Sequence, residues 1–224
     1  MIQSTPFGNG WSDSRYRFSR RKESATVDLL SRHPTKPEDL SIVHMPGGEL
    51  KPFLNPSPAQ LKIRAMLRDQ WTASQEGKRP KVPRRVVDLK ARKLGASTEA
   101  QAQAFLMISQ RANTEALVVS HEAKSAQILF GISKRFYRAL PDEMRPPRKF
   151  YNGHAIVFDD PLNSSLAVDV VSEATGRSGT YRFLHLSELA QWGAGADSAL
   201  VALRGSMPVE PDCIEIIEST GYGQ

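Results

Sequence analysis

Residues 86–107 read VVDLKARKLGASTEAQAQAFLM. A short apolar run meets a basic loop with one glycine, and a Ser-Thr pair then opens an alanine-rich stretch of helix formers. A strand that turns into a helix within a few residues belongs to a βα unit, and the rest of the chain repeats that alternation. RRVVDL, EALVVS, HAIVF, SLAVDVVS, TYRFLHLSE and CIEIIEST read as strands. Helices are expected over PSPAQLKIRAMLRDQWTAS, from Ser97 to about Gln110, over HEAKSAQILFGISKRFYRAL up to Pro141, and over ADSALVALRGSM. In the first of these Ser57 is the cap, Pro58 lies in the first turn, and Leu61, Ile63, Met66, Leu67 and Trp71 recur at helical spacing. PDEMRPPRK reads as a loop and ATGRSG as a turn. LSIVHMPGGELKPFLNP reads as a short strand, a turn at Pro46-Gly47-Gly48 and an extended exit. The fold class is therefore α/β, a mostly parallel sheet with helices on both faces.

The chain has 224 residues, enough for one such core and a small appendage. Residues 1–55 form a basic, irregular N-terminal extension in this reading, and residues 56–224 the core. Residues 1–40 are polar and broken by Gly and Pro. SRYRFSRRK, the densest basic run, suits contact with DNA, contact with a neighbouring subunit, or a solvated arm. No run of about 18 apolar residues predicts a membrane span, and the N-terminus lacks the apolar centre of a signal peptide. Cys213 is the only cysteine, so neither an internal disulfide nor a cysteine zinc site is possible; a reducing cytoplasm fits, with Cys213 buried and inert. The net charge of +6 favours polyanionic partners, though spread over the whole chain it also suits ordinary solubility.

The loop after VVDL has the parts of a phosphate cradle. The strand delivers the chain to a sheet edge, Gly95 permits close backbone approach, and Ser97 and Thr98 open a helix whose free N–H groups attract anions. Against the pattern G-x-x-x-x-G-K-[ST], Gly95 and Ser97 are in place. Lys90 stands at the first glycine and Ala96 at the usual lysine. A lysine stem reaches the same phosphates from the start of the loop, so the positive charge is expected at Lys90, with Arg92 and Lys93 beside it. Read without a nucleotide, the segment is a basic strand-to-helix loop.

YRFLHLSELAQW supplies a second element, an apolar strand ending in an acid. Glu188 is placed to polarise a water, while Ser187 stands where an aspartate usually holds Mg²⁺ through water. CIEIIESTGYG ends in Ser219, Thr220 and Gly221, positioned to sense a terminal phosphate, and Gln60 precedes the loop at a distance that suits reading adenine.

With these four segments in this order, the chain resembles the ATPase domain of the large terminase subunit, the DNA-packaging motor of tailed bacteriophages. KARKLGAST resembles a deviant Walker A, FLHLSELAQW a Walker B, IIESTGYG the coupling motif and PAQ the adenine motif. The resemblance covers about residue 55 to the end and implies a RecA-like P-loop core of the ASCE type. It implies binding of ATP by Gln60 and by the loop Lys90, Ala91, Arg92, Lys93, Leu94, Gly95, Ala96, Ser97 and Thr98. Lys90 would bind the β/γ-phosphates, Ser97 and Glu188 would serve Mg²⁺, and Glu188 would be the catalytic carboxylate. Arg92 would stabilise charge within the subunit. Arg177 resembles the arginine some members insert into a neighbour's site; Arg204 is a weaker candidate. Ser219, Thr220 and Gly221 would couple hydrolysis to movement. The resemblance further implies double-stranded DNA, a small terminase subunit and a portal protein as partners, a homo-oligomeric ring on the procapsid, and work in the host cytoplasm. The family's metal-dependent nuclease domain is expected to be absent from this chain, and the isolated domain to be monomeric. With Ser187 and Ala96 at the two altered positions, slow hydrolysis is expected.

From the residues alone other roles stay open. Gln60 also suits a helix surface, Arg177 a solvated turn, Arg92 a carboxylate partner, Glu188 a surface salt bridge, and Ser219–Thr220 a strand-end turn. His33, His44, His121, His154 and His185 share no metal-ligand spacing, and His185 reads as a packing residue. Asp159, Asp160 and Asp169 read as loop and surface charge rather than a nuclease cluster. A helicase-like translocase has the same core but needs a second lobe. A degenerate, non-hydrolysing DNA-binding or scaffolding module is the reading without catalysis.

Overall fold

The computed structural model describes residues 33–44, 49–53, 55–172 and 174–221. The basic run SRYRFSRRK and the turn Pro46-Gly47-Gly48 lie outside them. A hairpin of β1 (Ser41–His44) and β2 (Glu49–Pro52) precedes the main sheet. That sheet has seven strands: β3 (Arg84–Lys90), β4 (Glu115–Ser120), β5 (Arg148–Tyr151), β6 (Ala155–Phe158), β7 (Ser165–Val170), β8 (Tyr181–Ser187) and β9 (Ile214–Thr220). Its order is β3-β9-β8-β4-β7-β6-β5. The run from β3 to β7 is parallel, and β6 pairs antiparallel with β7 and with β5. The last strand in the chain, β9, is thus inserted between β3, which leads into the loop 91–95, and β8, which leads into Glu188.

The expected α/β class and parallel sheet are observed. Helices α1 (Pro58–Gln75), α2 (Ala96–Gln110) and α3 (Ala123–Ala139) share one core with Val86, Ala116, Val118, Phe183, Ile214 and Ile216. The opposite strand positions, Leu117, Val119, Leu184, Leu186 and Ile217, pack with α4 (Ala196–Gly205) and Trp192. This alternation is the two-residue period of a strand buried on both sides. Helical cover of the second face stops short of the β3 edge, where Val87 and Leu89 are 69% and 76% exposed.

The order of packing follows from side-chain size. In α2, Ala100, Ala102 and Ala104 are fully buried with Phe105 and Ile108, and the buried Glu99 and Gln101 have polar partners, so this helix is enclosed nearly all round. In α1 only part of the expected stripe is buried: Ile63 and Leu67 enter the core, whereas Leu61 is 51% exposed and Trp71 lies under the Arg84 guanidinium at 5.3 Å. Gln70 on the same helix donates to the Arg85 carbonyl and accepts its N–H, both at 2.9 Å, which occupies backbone groups of the edge strand β3.

Arg148–Tyr151, part of which was expected to be loop, forms the edge strand β5. Its charged residues are those that edges tolerate, and the Arg148 guanidinium stacks over Tyr151 at 4.8 Å. Residues before α1 are tied to the core: Leu40 and Phe53 are fully buried within it, and the His33 ring nitrogen meets the Ser109 carbonyl at 2.7 Å. Arg64 adds a clamp, reaching Glu38 at 2.6 Å and the buried Glu99 at 2.9 Å while stacking on Phe53.

Removal of a fully buried aromatic ring leaves a cavity that costs about 3–5 kcal/mol. Phe53→Ala is therefore expected to lower unfolding stability by that amount in a urea titration. A loss well under 1 kcal/mol, the usual size for a surface change, would mean that the segment before α1 is not part of the cooperative core.

Candidate functional site

Parallel register brings the carboxyl ends of β3, β9 and β8 level. Lys90 pairs with Thr220, and Ser187 with Glu218. The loop Ala91–Gly95, the first turn of α2, Glu188 and the Ser219–Gly221 segment therefore meet at one sheet edge, where α/β folds place ligands. Lys93 and Gly95 take left-handed backbone conformations, with φ of 66° and 80°. Gly95 is required there for a second reason: a Cβ would stand 2.4 Å from Gln60 Nε2. The start of α2 has no side-chain cap, so its first-turn N–H groups face the loop with their partial positive charge.

The loop is braced from α1. Ser57 donates its hydroxyl to the Leu94 carbonyl at 2.7 Å, and Gln60 Nε2 donates to the Gly95 carbonyl at 2.9 Å. Gln60 Oε1 accepts the Ser57 N–H at 2.7 Å, closing a capping box. Gln60 is 6% exposed, so one amide N–H remains for any ligand and its observed work is to hold the loop. Ala96, at the usual lysine position, is 1% exposed and packed in the core. Leu94, Arg92, Lys93 and Ala91 are exposed along the loop, and Thr98 is half-buried.

Lys90 is mostly buried, and its Nζ lies 3.5 Å from Glu218 Oε2. Glu218 is the centre of the site. Its Oε1 accepts the Ser97 hydroxyl at 2.6 Å and the Ser187 hydroxyl at 3.2 Å, and faces His185 Nε2 at 3.1 Å. Behind it, Ser133 donates to Gln101 Oε1 at 2.7 Å, and Gln101 Nε2 meets His185 Nδ1 at 2.8 Å. Burial by itself raises a carboxyl pKa, but the His185 ring, the Lys90 ammonium and the Ser97 hydroxyl outweigh it and bring Glu218 down to about 2. His185 is fully buried, as expected of a packing residue, but its place is in this polar chain.

Glu188 follows β8 in a left-handed conformation, φ 53°, a strained state worth about 1–3 kcal/mol. Its N–H donates to the Glu218 carbonyl at 2.7 Å, and its Oε2 accepts both the N–H and the hydroxyl of Thr220, at 3.0 and 2.8 Å. Ser219 Oγ accepts the Ala190 N–H at 3.3 Å. Gly221 is exposed at the end of this segment.

Two of the arginines singled out lie elsewhere. Arg177 is exposed in the turn before β8, beside Asn113, Glu115 and Arg182, at the amino edge of the sheet. It is a strand's length from the phosphate loop of its own chain. Arg204 is committed to the fold: it grips the fully buried Glu215 with Nε at 2.9 Å and Nη2 at 2.6 Å. It is not a free finger. Asp159, Asp160 and Asp169 are exposed, and no cluster of three metal-ligating side chains occurs among the described residues. Cys213 is buried, its thiol pushed up to about 11 mainly by desolvation. No described helix is long and apolar enough to cross a membrane.

The chain shares its fold with a bacteriophage large terminase. The HK97 large terminase superposes with a TM-score of 0.62 at 14% identity, over 87% of this chain and 37% of that one. The Thermus phage P74-26 large terminase ATPase domain aligns at 19% identity over 76% of this chain and 72% of that one, with a TM-score of 0.47. The chain thus spans little more than a third of the HK97 protein. No family model matches the sequence, and no curated protein does.

The bracing role of Gln60 has a measurable consequence. Gln60→Ala removes the capping-box bond and the tie to Gly95, so nucleotide-free protein is expected to lose about 1–2 kcal/mol of unfolding stability. Unchanged stability in a nucleotide-free urea titration would show that these bonds do not hold the loop.

Proposed function

We propose that this chain is an ATP-hydrolysing domain of a viral DNA-packaging motor, using Mg²⁺ and driving double-stranded DNA into a procapsid. The observation that carries the reading is the convergence of Lys90, the uncapped start of α2 and Glu188 at one sheet edge. The positive φ at Gly95 and the buried Glu218 Oε2, which has the Lys90 ammonium at 3.5 Å but no hydrogen bond, also suit a charged ligand.

In this mechanism the backbone donors of the loop and the first turn of α2 bind the phosphates. Lys90 supplies the ammonium that position 96 lacks, turning from Glu218 toward the β/γ-phosphates. The Ser97 hydroxyl and Glu188 serve Mg²⁺, which would neutralise charge on the phosphate oxygens when bound. Glu188 orients the attacking water and takes up its proton. For that, the Glu188 carboxylate must give up at least one of its two bonds from Thr220. Hydrolysis and the Ser219–Thr220–Gly221 segment are thereby joined through a single pair of side chains, which is how this segment would couple chemistry to movement. Arg92 extends along the loop as a charge-stabilising group within the subunit. Arg177, remote from its own site, would serve a neighbour in a homo-oligomeric ring. A small terminase subunit, a portal protein and the host cytoplasm complete the proposal.

The deciding experiment is a nucleotide titration followed by turnover. Wild-type protein is expected to bind ATP and hydrolyse it with Mg²⁺. Lys90→Ala should lose binding or turnover, and equal turnover would reject the displaced lysine. Glu188→Gln should bind ATP yet lose roughly 10²–10⁴ in rate; normal hydrolysis would remove Glu188 from the chemistry. Binding without hydrolysis by the wild type would favour the non-hydrolysing module. For Arg177→Ala, turnover should fall, by up to roughly 10³–10⁵, only where subunits assemble. An equal fall in a proven monomer would contradict action on a neighbour.

A further inference from the structure

Position 187, at the end of the acid-bearing strand, holds a serine, and the buried carboxylate nearest to it comes from the next strand. Glu218 stands beside Ser187 on β9, the strand inserted between β8 and β3. Its Oε1 already orients the Ser97 hydroxyl at 2.6 Å and accepts the Ser187 hydroxyl at 3.2 Å. Its Oε2 is buried without a hydrogen-bond partner, 3.5 Å from Lys90 Nζ, on a side chain that is 1% exposed. The Lys90 ammonium offsets part of the cost of burying this charge, and the oxygen keeps lone pairs that a further donor or a hydrated cation would fill. The group is also held in one orientation. Ser133 fixes the Gln101 amide, Gln101 meets His185 Nδ1, and His185 Nε2 faces Glu218 Oε1 at 3.1 Å.

We propose that Glu218 is the positioning carboxylate for the divalent cation that accompanies the nucleotide, acting through the Ser97 hydroxyl in place of an acid at position 187. The inference rests on the nucleotide-binding reading above and adds a residue to it. A purely structural alternative is that Glu218 only anchors the start of α2. Asp88, paired with Glu218 across β3 and β9, is the neighbouring carboxylate of the same row, also with a buried, unpartnered oxygen, and serves as the control.

The test is the Mg²⁺ dependence of binding, read from titration of a fluorescent ATP analogue in MgCl₂ and in EDTA. Wild-type protein should bind more tightly with Mg²⁺. Glu218→Gln should lose about 10–100-fold of the Mg²⁺ enhancement, with affinity in EDTA not reduced. Ser187→Asp combined with Glu218→Gln should restore part of it, and Asp88→Asn should leave it unchanged. Retention of the full enhancement in Glu218→Gln, an equal loss with and without Mg²⁺, or loss in Asp88→Asn instead would each overturn the proposal. If circular dichroism finds Glu218→Gln unfolded, Glu218→Asp takes its place. With the charge kept and the reach shortened, the Mg²⁺ concentration for half-maximal enhancement should rise about tenfold, and no rise would reject the role. Failure of the wild type to bind the analogue in either buffer overturns the nucleotide-binding reading itself.

Discussion

A buried carboxylate that holds three elements in register is the constraint on which this site depends. Glu218 sits on β9 with almost no solvent exposure, and its contacts come from α2, β8 and β3. Taking such a charge out of water costs several kcal/mol unless partners surround it. The fold therefore has to bring Ser97, Ser187, His185 and Lys90 to one point, and that requirement fixes how far the loop 91–95 stands from β8. The arrangement is made from polar side chains in an otherwise apolar layer, so small shifts of α2 against the sheet would leave bonds unmade.

The loop itself is preorganised from the other side. Ser57 and Gln60 hold the Leu94 and Gly95 carbonyls against α1, so these two acceptors are already satisfied. Arg64 ties the same helix to Glu99, one turn into α2. Loop and helix start are thus gripped by α1, while the floor is gripped by Glu218. A site held on both sides needs little reorganisation when charge arrives, and that is the condition under which fixed dipoles are most effective.

Much of the fold was legible in the sequence because strands here are buried on both faces and read as short apolar runs bounded by Pro, Gly or charged turns. EALVVS coincides with β4, and Ser57 with Pro58 marks the start of α1. Arg148–Tyr151 was not legible, since an edge strand covered by charged side chains has no apolar pattern. The meeting of Lys90, Gly95, Ser97 and Glu188 at one sheet edge was legible because each stands at a strand end or a helix start. The site was not legible where a residue's role depends on a partner distant in sequence. Arg204 looks free until Glu215 is seen beneath it, and His185 looks like packing until Gln101 and Glu218 flank it. A usable signal did exist: CIEIIEST places two glutamates inside an apolar strand, and each must have a buried partner. Their periods point them to opposite faces, Glu215 toward Arg204 and Glu218 toward the phosphate loop.

The two departures from the common phosphate-loop pattern can be understood as one. Ala96 is packed in the core with 1% exposure, so the absence of a lysine there is a filled position and not a vacant one. Moving the ammonium to Lys90 puts it on β3, beside the strand that carries Glu218, and the two charges then neutralise each other from adjacent strands. In the role proposed for Glu218, the carboxylate at 218 stands in for an acid at 187, since β9 lies between β3 and β8. Each displacement alone would bury an unpaired charge, which is among the costliest changes a core can take. Together Lys90 and Glu218 stand as one ion pair on adjacent strands, so a change at either position is felt at the other.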